Sequence, residues 1–262
     1  MRRLTPLVRT LWRTCGVLGI GLAVATSARS AEITLLTTGA YKPAAVLLVP
    51  PFERRTGHTV LIRSDTAGAV AQAIRDGARP DLVVLTPGGL DALIREGRLA
   101  GAPPVPLAKV GIGVAVRAGA PVPDIATPAA FREALLRARA VAMVDPASGG
   151  SSGIYLAGLF ERLGIADRMR DKLVLVRGGL AASRLVSGDA DLALQQTSEL
   201  LAVTGARLVG PIPAEVQTFT TYAGMIPEGA AQAGAASSLL RDLAGSEAAP
   251  ILAEKGMVPP ER

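Results

Sequence analysis

The chain has 262 residues, 49% of them hydrophobic, which allows one or two domains with a large core; its formal charge is +6, but five of its 28 basic residues precede the first acid, Glu32, leaving the remainder almost balanced against 22 acids. That balance gives no charge-driven route to nucleic acid, and 3% aromatic residues give no stacking platform for single strands. A single Cys and a single His exclude an internal disulfide and leave too few ligands for a zinc centre, so neither a metal nor a cofactor is expected.

Residues 1–28 read as an export signal. Arg2, Arg3, Arg9 and Arg13 are followed by an uncharged apolar run at 16–26 and then by small residues as far as Ala31. The run is short of the roughly 20 residues of a membrane span. Cleavage is expected after Ala28, which places the mature chain in the periplasm.

From Glu32 onward, strands and helices alternate. Residues 32–37 (EITLLT) form a strand that runs into Thr38-Gly39-Ala40, and 43–56 have helical spacing in spite of Pro50-Pro51. A strand at 58–63 is followed by a helix at 67–76, with Thr66 as N-cap, and the pattern repeats at 81–85 and 88–96. A long strand at 110–117 precedes a helix at 127–138 that starts on Pro128. A strand at 140–144, a helix at 152–163, a strand at 173–176 and a short helix at 178–188 follow. Strands at 191–194, 206–209 and 218–226, then helices at 231–243 and 247–255, complete the chain. Such alternation predicts an α/β fold with mostly parallel sheets, and in these sheets ligands sit beyond the carboxyl ends of the strands.

Four strand ends are rich in Gly, Ser and Thr and open helices: Thr38-Gly39-Ala40, Thr66-Ala67-Gly68, the stretch from Ser148 to Gly153 containing Ser151 and Ser152, and Gly178-Gly179. Free N–H groups, small hydroxyls and a positive dipole end make an anion site without fixed charge. Gln195 and Gln196 end another strand and can donate and accept. Lys42, Arg63 and Arg184 lie near strand ends and would suit a carboxylate if they faced one cleft. The run Gly149–Gly153 also fits the G-x-S-x-G nucleophile pattern, but a hydrolase triad needs a downstream base, and His58 lies upstream.

Six stretches carry a family resemblance: EITLLTTGA, TAGAVAQAIRDGARPDLVVLT, AMVDPASGGSSGIYLAGLFERLGI, SGDADLALQQTSELL, VGPIPAEVQ and the terminal KGMVPP. Over residues 32–260 the chain resembles the periplasmic molybdate-binding proteins, type II solute-binding proteins of ABC importers. The resemblance implies two α/β lobes, each a mostly parallel sheet flanked by helices, joined by two chain crossovers. Lobe one would be 29–115 with 221–262, and lobe two 116–220. It implies a monomer that closes on a small anion and delivers it to an inner-membrane permease. The ligand contacts it implies fall at Ala40, between Thr66 and Gly68, and at Ser152, Gly178 and Gln196. Ala40 and Gln196 stand where molybdate binders carry hydroxyls, and each hydrogen bond to a charged group is worth roughly 1.5–3 kcal/mol. This departure argues against molybdate itself. The QQTSELL and VGPIPAEVQ stretches are similar to those of a side branch, the periplasmic aconitate isomerases, which interconvert cis- and trans-aconitate by an allylic proton shift. A binding protein for a molybdate-like oxyanion or a carboxylate is therefore the first expectation and an isomerase the second. No residue stands out in the sequence as the base an isomerase needs.

Overall fold

The computed structural model describes residues 30–259; the export signal and its cleavage point fall outside them. The first third comprises β1 (Glu32–Thr38), α1 (Lys42–Thr56), β2 (Thr59–Asp65), α2 (Ala67–Arg75), β3 (Leu82–Leu85), α3 (Pro87–Arg95) and β4 (Val105–Arg117). The middle comprises α4 (Pro128–Arg137), β5 (Val141–Val144), α5 (Ser151–Arg162), α6 (Ala166–Arg170), β6 (Leu173–Val176), α7 (Ser183–Val186), β7 (Leu192–Gln196), α8 (Thr197–Leu200) and β8 (Ala206–Pro211). The chain returns through β9 (Phe219–Met225), α9 (Ala233–Ala244), α10 (Ala248–Glu254) and β10 (Met257–Val258).

The strands run in the order β2-β1-β3-β9-β4-β7-β5-β6, with β8 and β10 also paired to β4. β1 pairs in parallel with β2 and β3, and β5 in parallel with β6 and β7. β4 and its partners join antiparallel, so each sheet is mixed around a parallel centre. The 13 residues of β4 carry the chain from one lobe to the other. As far as Gly111 β4 pairs with β9, and from Ile112 onward it pairs with β7 and β8.

The central strands are apolar on both faces because helices cover both. In β3, Leu82 and Val84 pack among α1, α9 and α10 residues, while Val83 and Leu85 pack toward α2 and α3. β5 repeats the arrangement: Val141 and Met143 enter one core and Ala142 and Val144 another. This is why LVVL and VAMV are continuous apolar runs rather than alternating ones.

Local chemistry explains most helix ends. Thr66, Thr86 and Thr127 cap α2, α3 and α4 by accepting from Ala69, Gly89 and Ala130 N–H groups. α1 ends at Gly57 with φ of 71°, a left-handed cap. Its internal Pro50 and Pro51 leave the carbonyls of Val46 and Leu47 without a helical donor, and both of those residues are exposed to water, which can replace it. The helix expected at 178–188 shrinks to α7. The Gln195 side chain takes the Ala181 N–H at 2.8 Å and the Gly179 carbonyl at 3.0 Å, groups a helix would have used, and Gly179 has φ of 80°.

Candidate functional site

A cavity of about 510 Å³ lies between the lobes, at the carboxyl ends of β1, β2, β5 and β7. Its volume is within the ~300–1,000 Å³ range of small-molecule sites. Most of the residues singled out from sequence line it: Thr38, Gly39, Ala40 and Lys42, Thr66 and Ala67, Gly150, Ser151 and Ser152, Gly178 and Gly179, and Gln195 and Gln196. Gly68, Arg63 and Arg184 do not. Arg63 is exposed on β2, the edge strand, and Arg184 is drawn to Asp189 at 3.2 Å on the surface of lobe two. Lys42, in the first turn of α1, is thus the one of the three proposed cations at the cavity. His58 is remote from it; Nδ1 accepts from Ala31 N–H at 3.1 Å and the ring lies 6.0 Å from Phe52.

Two expected donors are already committed within the protein. The Gly39 N–H donates to the Asp65 carbonyl at 2.8 Å, and the Gly68 N–H donates to the Gly149 carbonyl at 3.0 Å. The second bond crosses between the lobes. Beside it, the Thr66 hydroxyl donates to the Ser148 carbonyl at 2.6 Å. Gly68 and Gly149 approach so closely that a Cβ on Gly68 would lie 2.8 Å from Gly149 Cα. The loop from Thr66 to Gly68 therefore closes one rim of the cavity as much as it lines it.

Other donors remain open. α5 begins at Ser151 without a side-chain cap, so its first N–H groups have no helical partner. Its Gly153 is required by contact, because a Cβ there would meet the Val144 carbonyl at 2.3 Å. The hydroxyls of Thr38 and Ser152 are buried and have no hydrogen-bond partner. Such groups are costly unless something satisfies them, and here both border a cavity. The positive ends of α1 and α5 and the Lys42 ammonium favour an anion there.

The cavity floor holds two groups that sequence reasoning missed. Glu199, on α8, is 7% exposed, and desolvation raises its carboxyl to about 8 against a partial opposing effect from the Gln195 hydrogen bond. Its Oε1 sits where a Cβ on Gly39 would be only 2.7 Å away. Tyr222, on β9, is 1% exposed, and burial followed by the nearby Glu199 pushes its phenol above the usual range. Gln196 Nε2 donates to the Tyr222 oxygen at 3.4 Å. α8 is fixed from both sides: Ser198 donates to the Ala40 carbonyl at 2.7 Å and Thr197 to the Gly111 carbonyl at 3.2 Å. A signal for Glu199 was present, since it is the single charged residue between Asp191 and Arg207, in an otherwise apolar and neutral stretch.

Residues 33–258 match the family of bacterial extracellular solute-binding proteins, and the chain belongs to it. It is 32% identical over 233 residues to an aconitate isomerase from a Pseudomonas species, covering 87% of each chain. Among solved structures, the periplasmic molybdate-binding protein of Azotobacter vinelandii superposes with a TM-score of 0.73 at 21% identity, over 88% of this chain and all of that one. PEB3 of Campylobacter jejuni, with L-phospholactate bound, superposes with a TM-score of 0.65 at 15% identity, over 87% of this chain and 100% of that one. These structures share the two-lobed fold.

Proposed function

We propose that this bacterial extracellular solute-binding protein acts in the periplasm as an isomerase of a small unsaturated polycarboxylate, interconverting cis- and trans-aconitate by an allylic proton shift. The observation that carries this reading is Glu199. A receptor for a small anion is served by donors that do not change state, whereas a carboxyl at the floor of the cavity with a pKa of about 8 can lose and regain a proton near neutral pH. The 32% identity to aconitate isomerase points the same way.

In this reading the substrate carboxylates meet Lys42, the N-terminus of α5 and the open hydroxyls of Thr38 and Ser152. Ionised Glu199 removes a proton from the methylene next to the double bond, and the proton is returned at the far allylic carbon. The shift is redox-neutral and calls for no cofactor. The lobes, 29–115 with 221–262 and 116–220, close on the substrate about the β4 crossover, and the protein works as a monomer exported by its first 28 residues.

The test is to incubate the mature protein with trans-aconitate and separate the isomers by chromatography. Wild type forms cis-aconitate, and Glu199→Gln loses at least about 10²-fold of the rate, the usual size of a general-base contribution. Wild-type protein that leaves trans-aconitate unchanged sinks the reading. A second reading, a receptor that passes a small anion to an ABC permease, is favoured by the family itself and by the uncharged donors at Thr38, Ser151 and Ser152. It predicts a thermal shift of many degrees with molybdate or sulfate and no isomer formed.

A further inference from the structure

Tyr222 reaches the cavity floor from β9 of lobe one, opposite α8 of lobe two, which carries Glu199. Its oxygen accepts from Gln196 Nε2, so one lone pair is occupied and the phenolic hydrogen is the group left to donate at the cavity. The Ser151, Thr38 and Thr220 hydroxyls lie around the same oxygen, neutral partners that a more strongly charged substrate oxygen can displace. Burial suppresses ionisation of the phenol, so it stays a neutral donor throughout the range in which Glu199 titrates.

Removing a proton next to a carboxylate places new negative charge on that carboxylate, beyond the charge it carries at rest. A cavity with one ammonium group and mainly neutral donors needs a group aimed at the oxygen where the charge gathers. We propose that Tyr222 is a catalytic residue that donates its phenolic hydrogen bond to this oxygen while Glu199 moves the proton. The proposal rests on the isomerase reading.

The step balances without a co-reactant. The C–H bond breaks and an O–H bond forms on Glu199. The electron pair spreads over the three allylic carbons and into the adjoining carboxylate, where Tyr222 meets it. The double bond then forms at the other position as the far carbon takes a proton from Glu199. Tyr222 keeps its own proton throughout.

Tyr222→Phe removes only the hydroxyl. The expected result is a kcat lower by about 10²-fold or more, as for the loss of one oxyanion donor. KM, and the dissociation constant for propane-1,2,3-tricarboxylate, which has no double bond to shift, stay within about threefold. A kcat within threefold of wild type, or a loss confined to KM, overturns the proposal while leaving the isomerase reading intact. Should the phenylalanine variant not fold, Tyr222→3-fluorotyrosine keeps the shape with a more acidic phenol; a raised kcat supports the proposal and an unchanged one overturns it. Wild-type protein that binds propane-1,2,3-tricarboxylate but never isomerises aconitate overturns both readings together.

Discussion

Glu199 places a titrating group where water is nearly excluded, and this ties the chemistry of the site to the stability of the fold. Burial raises its carboxyl to about 8, so between its ordinary range and that value the folded chain holds a proton that the unfolded chain has lost. Unfolding in that window releases the proton, and stability therefore falls as pH rises. Glu199→Gln removes the dependence. The stability of the variant relative to wild type should grow by about 1.4 kcal/mol per pH unit across the window, to a few kcal/mol by pH 8. Denaturant unfolding of both proteins at pH 5, 6.5 and 8 measures this, and parallel profiles would contradict the burial assigned to Glu199. With Glu199 as the base of the proposed isomerisation, the rate should show the opposite trend: kcat/KM rises with pH toward about 8 as the base form of Glu199 fills.

At the scale of elements, Gln195 couples the end of β7 to both the loop before α7 and the acid on α8. Its side chain holds Gly179 and Ala181, and its hydrogen bond to Glu199 opposes the rise in that carboxyl. Gln195→Leu should push Glu199 further up and move the acid limb of the pH–rate profile to higher pH. It should also cost about 1–3 kcal/mol through the loop groups left unpaired. A limb that stays in place would show that Gln195 supports only the loop. The same residue explains what the sequence hid. Strands such as LVVL and VAMV are legible because burial on two faces leaves an uninterrupted apolar run, and the Thr66 cap is legible because its hydrogen bond is local. The loop at 178–182 looked helical because nothing near it in sequence competes for its backbone; the competitor is a side chain 14 to 16 residues further on. α8 is too short to show a helical period, and so the acid it carries went unnoticed among its neutral neighbours. The strand-end rule pointed to residues that line one cavity, but it could not tell that the Gly39 and Gly68 N–H groups were already committed within the protein.

The whole molecule depends on how two separately cored lobes meet. Apart from the shared strand β4, the contact on the cavity rim is made by Thr66 and Gly68 of one lobe against Ser148 and Gly149 of the other. Neither glycine has room for a methyl group: a Cβ on Gly149 would stand 2.6 Å from Gly68 Cα, and Gly149 itself is left-handed with φ of 73°. At Gly68 the backbone is free of that strain, so Gly68→Ala isolates the effect of contact. Because the added methyl meets the opposing lobe's backbone and not either core, the lobes should stay folded and part slightly. Overpacking of this kind costs about 1–3 kcal/mol, and as that cost falls on the closed form alone it should weaken ligand binding by about 5- to 150-fold. Small-angle scattering should show a larger radius of gyration for Gly68→Ala than for wild type in the presence of saturating propane-1,2,3-tricarboxylate, and calorimetry the loss of affinity. Unchanged affinity and scattering would mean that the rim contact is not what holds the lobes shut, and that closure is governed at the β4 crossover or where Gln196 and Ser198 meet Tyr222 and Ala40.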